Sequence, residues 1–345
     1  MLSSNPICPV IIGIPGTTLD DQTRADIARL NPAGFILFKR NCESREQLEA
    51  LCAELRALSP LATPLIFIDQ EGGRINRILW EPYTGPAGAK IGALYHNNPE
   101  QGLRAAELNG YLIAAQLAVY GITVDCLPVA DIRQEGAHDV IGDRAFSHDP
   151  AVVSALCAAT IKGMLAGGVY PVIKHAPGHG RAKADSHFNL PVVDTNEATL
   201  MATDFLPFQQ NNRCPFVMTA HITYTALDSE CATRSHKVIE GIMRQKLGMT
   251  GLMVSDDLFM KALPGPLLSD AQAALQAGCD MLLVCNTQSS GAFSADNWQQ
   301  MMTLTALPGL RTESLQRLAA LPALHTPQPD TLHDAFHTLQ AMLAA

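Results

Sequence analysis

The chain has 345 residues, 47% of them apolar and 17% charged, enough to bury a substantial core and too apolar for a disordered polymer. Its 24 Lys and Arg against 33 Asp and Glu leave a net charge of −9, which argues against a general nucleic-acid binder, because phosphate contacts need a basic surface. No run approaches the roughly 20 apolar residues of a membrane span, and no basic, apolar leader opens the sequence, so a soluble cytoplasmic protein is expected.

Eight short apolar runs punctuate the sequence, at 9–16, 34–40, 64–70, 122–131, 170–175, 215–221, 251–256 and 280–286. All have strand length and are rich in Val, Ile, Leu or Phe. Between them, residues 44–57, 101–120, 150–166, 196–209 and 235–247 space their apolar side chains three and four apart, as helices do. Alternating continuous apolar strands with amphipathic helices predicts a parallel sheet covered on both faces. Eight repeats favour a closed TIM-type (β/α)8 barrel over an open doubly wound sheet. The chain reads as a single catalytic domain, residues 1–345, with the barrel over about 8–300 and a helical tail over about 301–345 that carries helices at 312–320 and 331–343.

Seven of the eight runs end in or run into a polar residue: Lys39 and Arg40, Asp69, Asp131, Lys174 and His175, His221, Asp256, Asn286. A barrel brings these ends together on the rim where such enzymes keep their sites. Segments 81–89, 131–150 and 175–196 are long enough for lids or walls. The nine cysteines are scattered without a C-x-x-C pair, which suits buried, reduced thiols better than a disulfide frame.

The chemistry-bearing strings follow the same order. Asp69-Gln70-Glu71-Gly72-Gly73-Arg74-Ile75-Asn76-Arg77 offers Asp69 and Arg77 to a polyhydroxylated ligand, with Glu71 and Arg74 read as an internal ion pair. Ile141-Gly142-Asp143-Arg144 brings another cation to the rim. Lys174-His175-Ala176-Pro177-Gly178-His179-Gly180 leads into Asp185-Ser186-His187, where a carboxylate two residues from an imidazole can hold one ring nitrogen and leave the other for proton transfer, or can be a solvated surface pair. His175, His179, Asp185 and His187 could instead ligate a metal, but Pro177 and Gly178 interrupt any helical H-x-x-x-H face, and no metal or cofactor is expected. In Ser255-Asp256-Asp257-Leu258 only one Asp can face the barrel mouth; spacing does not say which, and a cap of the following turn suits Asp257.

Taken together, D-Q-E-G-G-R at Asp69, I-G-D-R at Ile141, K-H-x-P-G-H-G at Lys174, D-S-H at Asp185, T-A-H-I at Thr219 and S-D-D-L at Ser255 resemble the single-barrel bacterial β-N-acetylglucosaminidases of glycoside hydrolase family 3. The resemblance implies that Asp256 is a nucleophile, His187 an acid/base on a mobile loop and Asp185 its partner. It also implies that Asp69, Arg77, Arg144, Lys174 and His175 hold a terminal N-acetylglucosamine. Ala176 departs from the Phe common in the family, beside the site. The implied activity is retaining hydrolysis of small carbohydrate substrates of peptidoglycan recycling, by a monomer without nucleic-acid or membrane partners; a phosphorylase on the same scaffold and a non-catalytic sugar-binding protein are the alternatives.

Overall fold

A computed structural model describes residues 6–182, 189–263, 265–287, 292–325 and 329–344. Eight parallel strands run β1 (Cys8–Gly13), β2 (Pro32–Leu37), β3 (Leu65–Ile68), β4 (Val124–Asp125), β5 (Tyr170–Ala176), β6 (Phe216–Thr219), β7 (Leu252–Val254) and β8 (Leu282–Val284), each paired with its sequence neighbour through β7. β8 returns to pair with β1, and a parallel bridge between Val254 and Met281 closes the ring. All eight strands lie where the apolar runs predict them, and the barrel replaces the open-sheet alternative.

Period-two alternation fixes which side chains fill the barrel. Ile11, Ile36, Phe67, Val172, Phe216, Leu252, Val254 and Leu283 form an interior cluster, with Phe67 and Phe216 packed edge to face at 5.5 Å across the barrel. The alternate residues of the same strands pack outward against the helices. Each helix has a local cause. Arg45–Leu58 is capped by Ser44, which accepts from the Gln47 amide, and buries Leu48, Leu51, Cys52 and Leu55 at helical spacing. Pro99–Tyr120 starts on an Asn98 cap with Pro at its first position and stops at Gly121. Pro150–Ala166 starts on an Asp149 cap and packs against Pro99–Tyr120.

Two predicted helices differ. Residues 196–209 form two pieces, Glu197–Ala202 and Leu206–Gln210, because Pro207 has no N–H to continue a helix through Thr203, whose hydroxyl turns to Asp204 instead. The stretch predicted at 235–247 is a wide helix, Lys237–Lys246, whose exit bond from the Leu247 amide to the Ile242 carbonyl spans five residues. Helices Thr312–Ala319 and Pro329–Ala344 form the tail; the first is fastened to the underside of the barrel by Ser314 and Arg317 on Asp280, and the second packs on Pro99–Tyr120. Segment 81–89 is a packed wall, with Tyr83 buried and bonded to Asn109 and Glu81 bonded to Arg45 and Tyr120. All nine cysteines are unbridged and eight are buried. Among the described residues no helix is long and apolar enough to cross a membrane.

Candidate active site

A cavity of about 620 Å³ opens at the carboxyl ends of the strands, lined by Asp69, Glu71, Arg77, Arg144, Lys174, His175 and Asp256 among others. The six sequence-predicted site residues within the described chain therefore meet in one place. Asp185 and His187 lie outside the described residues.

The same alternation that builds the core delivers several of these groups. Asp69 continues the inward row of Leu65 and Phe67, Lys174 that of Tyr170 and Val172, and Asp256 that of Leu252 and Val254. Lys174 and His175 both reach the cavity where the pairing of β5 with β6 shifts register between Ile173 and Ala176.

Gln70 shapes the turn after β3. Its amide donates to Asp125 at 2.8 Å, and its side-chain oxygen accepts from the Arg77 amide at 2.7 Å and the Ile78 amide at 3.3 Å. The loop folds back through Gly72 and Gly73, whose φ values of +90° and +56° are left-handed, and places Arg77 over Asp69 at 3.3 Å.

The cavity floor is a chain of alternating charges. Lys174 Nζ bridges Asp69 at 2.9 Å and Glu71 at 2.6 Å, and Arg144 grips Glu71 with Nε at 2.8 Å and Nη2 at 2.7 Å. Burial alone would raise both carboxyls, but the cations outweigh it: Lys174 and Arg77 hold Asp69 well below the carboxylate range, and Arg144 with Lys174 hold Glu71 at about 2. Burial would favour a neutral Lys174, yet Asp69 and Glu71 keep its pKa above the ordinary value, so the ammonium persists.

This corrects the sequence reading of Glu71 with Arg74. Glu71 belongs to Arg144 and Lys174, while Arg74 reaches across the rim to the carbonyls of Asp139, at 2.7 Å, and Val140, at 2.9 Å, and to the Asp143 carboxylate at 3.3 Å. Residue spacing names charges, and only the loop path decides who meets whom.

Sequence reasoning also passed over Asp131 except as a strand end. Its Oδ2 lies 2.6 Å from His175 Nδ1 and its Oδ1 accepts the His179 amide at 2.6 Å. Burial would raise Asp131, but His175 beside it holds the carboxyl below its ordinary value. The bond fixes the His175 ring and leaves its other nitrogen for the cavity. Burial, with His175 adjacent, pushes His179 down to about 4, so its ring is neutral near neutral pH.

Both aspartates of S-D-D-L border the cavity, but they are held differently. Asp256, partly exposed, lies on the cavity, and its Oδ1 accepts the Asp257 amide at 2.8 Å. Asp257 is tied back by the amides of Cys285 at 2.9 Å and Phe259 at 3.2 Å, the turn-capping role the sequence suggested. Burial pushes Asp257 up to about 6 despite those amides.

Other polar strand ends are structural. His221 is buried between Thr233, at 2.8 Å, and the Asp257 carbonyl, at 3.0 Å. Arg40 bonds the Ile14 and Cys285 carbonyls, Asn286 bonds the Gly13 carbonyl, and Lys39 is exposed. A second cavity of about 550 Å³ adjoins the first, sharing His138 and Asp139 and reaching Arg133 and His148. Among the described residues no three His, Cys, Asp or Glu side chains are grouped to hold a metal ion.

The closed (β/α)8 barrel thus carries, at the carboxyl ends of its strands, an inward carboxylate on a cavity of paired cations and carboxylates, the architecture of a barrel enzyme. The chain belongs to glycosyl hydrolase family 3, whose N terminal domain matches residues 11–309, and it is a glycoside hydrolase. Relatives include the β-hexosaminidases of Aromatoleum aromaticum, 34% identical over 98% of this chain and 95% of that one, and of Bordetella avium, 35% identical over 98% and 96%. The fold is similar to that of NagZ from Neisseria gonorrhoeae in complex with N-trifluoroacetyl-D-glucosamine, with a TM-score of 0.85 and 29% identity over 99% of this chain and 97% of that one.

Proposed function

We propose that the chain is a retaining exo-β-N-acetylglucosaminidase that releases terminal N-acetylglucosamine from muropeptides, N-acetylglucosamine joined to 1,6-anhydro-N-acetylmuramic acid with or without its peptide. The observation that carries this reading is the Asp256 carboxylate set in the inward row of β7, facing the cavity occupied by Asp69, Arg77, Arg144, Lys174 and His175. Relatives named β-hexosaminidases and a structural neighbour that holds an N-acylated glucosamine support the sugar assigned to that cavity.

In this mechanism Asp256 attacks the anomeric carbon while His187, held by Asp185, protonates the departing oxygen, giving a covalent glycosyl-enzyme. Water then attacks the same carbon, His187 takes its proton, and Asp256 leaves. An imidazole suits both steps because its ordinary pKa of about 6.5 lets it donate and accept near neutral pH. The five polar residues hold the sugar, and the adjoining cavity, bordered by Arg133, His138 and His148 as well as Glu135 and Asp139, offers room for the leaving group. The whole chain acts as one cytoplasmic catalytic domain, as a monomer without a cofactor.

The test is aryl release from an aryl N-acetyl-β-glucosaminide beside the matching β-glucoside, with and without phosphate, with the sugar product identified. Preferential cleavage of the acetamido sugar to free N-acetylglucosamine, and then cleavage of the anhydro-muropeptide, supports the reading. N-acetylglucosamine 1-phosphate would make it a phosphorylase, and silence on both glycosides would overturn it.

A further inference from the structure

Arg74, Arg77, Arg144 and Lys174 border the cavity, and most of the hydrogen-bonding capacity of Arg144 and Lys174 is already engaged within the protein. Arg144 carries five N–H donors. Among the described residues, Glu71 takes one from Nε at 2.8 Å and one from Nη2 at 2.7 Å, and the Val140 carbonyl takes one from Nη1 at 3.1 Å. Lys174 has three donors, of which Asp69 takes one at 2.9 Å and Glu71 a second at 2.6 Å. What remains for a ligand is one proton on each terminal nitrogen of Arg144 and one on Lys174. Their directions follow from where Glu71 sits, because a two-point grip on a planar guanidinium fixes its plane and two anchors on a tetrahedral ammonium fix its third axis.

Glu71 itself cannot serve the ligand in this arrangement. Its side chain is only 4% exposed, and both oxygens are occupied by cations. Among the described residues it is also the one side chain that joins Lys174, on β5, to Arg144, in the loop after β4.

We infer that Glu71 is a positioning residue for sugar binding: it aims the spare N–H groups of Arg144 and Lys174 at the ligand and sets their separation. The inference rests on the proposed reading of the cavity as the N-acetylglucosamine site. Without Glu71 both cations keep their charge but lose a shared reference, so the sugar loses directed donors.

The experiment is a double-mutant cycle of Glu71→Gln and Arg144→Gln, read by calorimetric binding of N-acetylglucosamine and by kcat and KM on an aryl N-acetyl-β-glucosaminide. Glutamine keeps the shape of Glu71 but replaces one acceptor oxygen with a donor that faces a cation. Affinity for N-acetylglucosamine should fall about tenfold or more in Glu71→Gln, with KM rising in step. The double variant should be little weaker than the weaker single one, because a residue acting through Arg144 has nothing left to aim. Glu71→Asp, which keeps the charge and shortens the reach, should recover part of the loss and guards against a Gln variant that fails to fold. Multiplicative losses in the cycle, or losses confined to thermal stability with unchanged affinity and KM, would overturn the inference while leaving the sugar site intact. A wild-type protein that neither binds nor cleaves N-acetylglucosaminides would overturn both readings.

Discussion

Asp256 and Asp257 are neighbours that both border the cavity but are held differently: Asp256, the next inward position after Val254, is partly exposed, whereas Asp257 is buried with its carboxylate bound by the amides of Cys285 and Phe259. The pair therefore divides into one carboxylate exposed to the cavity and one tied into the junction of β7 and β8. Asp256→Ala should remove at least several kcal/mol of transition-state stabilisation, since no neighbour can replace a covalent nucleophile. Steady-state turnover of an aryl N-acetyl-β-glucosaminide checks this, and near-normal activity would remove Asp256 from the mechanism.

His187→Ala should depend on the leaving group. An activated aryl glycoside needs little protonation, so its first step should be nearly spared, whereas a muropeptide or an alkyl glycoside should lose far more, within the roughly 100- to 10,000-fold range of a general acid. A series of aryl glycosides of rising leaving-group pKa measures the slope. Equal loss across the series would reduce His187 to binding or loop shape.

The charged floor predicts a two-sided response of stability to pH. Glu71 sits at about 2 when folded against its ordinary 4.5, so it stabilises the fold above pH 4.5 and that contribution, at most about 3 kcal/mol, fades as pH falls towards 2. Asp257 runs the other way: raised from 3.8 to about 6, it favours the fold at low pH and that advantage is lost as pH rises through 6. Denaturant unfolding across these intervals should show the gap between wild type and Glu71→Gln narrowing with acid, and Asp257→Asn gaining on wild type as pH rises from about 4 to 6 and levelling off above it. Gaps that do not change with pH would mean that neither carboxyl is perturbed.

The opposite rim is built for stability. Asp280, buried at the start of β8, accepts from Arg244 at 2.8 Å, Arg317 at 2.7 Å, Ser314 at 2.6 Å and the Met253 amide at 2.8 Å, fastening the tail helix Thr312–Ala319 to the barrel. Asp280→Ala strands two guanidinium groups and should cost about 3–5 kcal/mol, measured by urea unfolding, with kcat and KM unchanged below the transition. A wild-type midpoint would show that water satisfies those cations.

Much of this was legible in the sequence because barrel strands are continuous apolar runs and their polar ends share one rim. All eight strands were placed, and Asp69, Arg77, Arg144, Lys174, His175 and Asp256 meet at one cavity. The choice between Asp256 and Asp257 had a signal that went unused: once Leu252 and Val254 are taken as the inward pair, period two carries to Asp256. The partners of Glu71 had no such signal. Arg74 is three residues away and Arg144 seventy-three, and the Gly72–Gly73 turn, which swings Arg74 over the rim and Glu71 into the floor, decides between them. The Asp131 grip on His175 was hidden for a like reason, since it joins consecutive strand ends through space.

The central claim is double displacement through Asp256, and the anomeric form of the first-formed sugar tests it most directly. Proton NMR of the product, recorded before mutarotation, should show the β-anomer of N-acetylglucosamine, because two inversions at the anomeric carbon restore the starting configuration. Initial release of the α-anomer would mean a single displacement by water and would contradict a covalent role for Asp256.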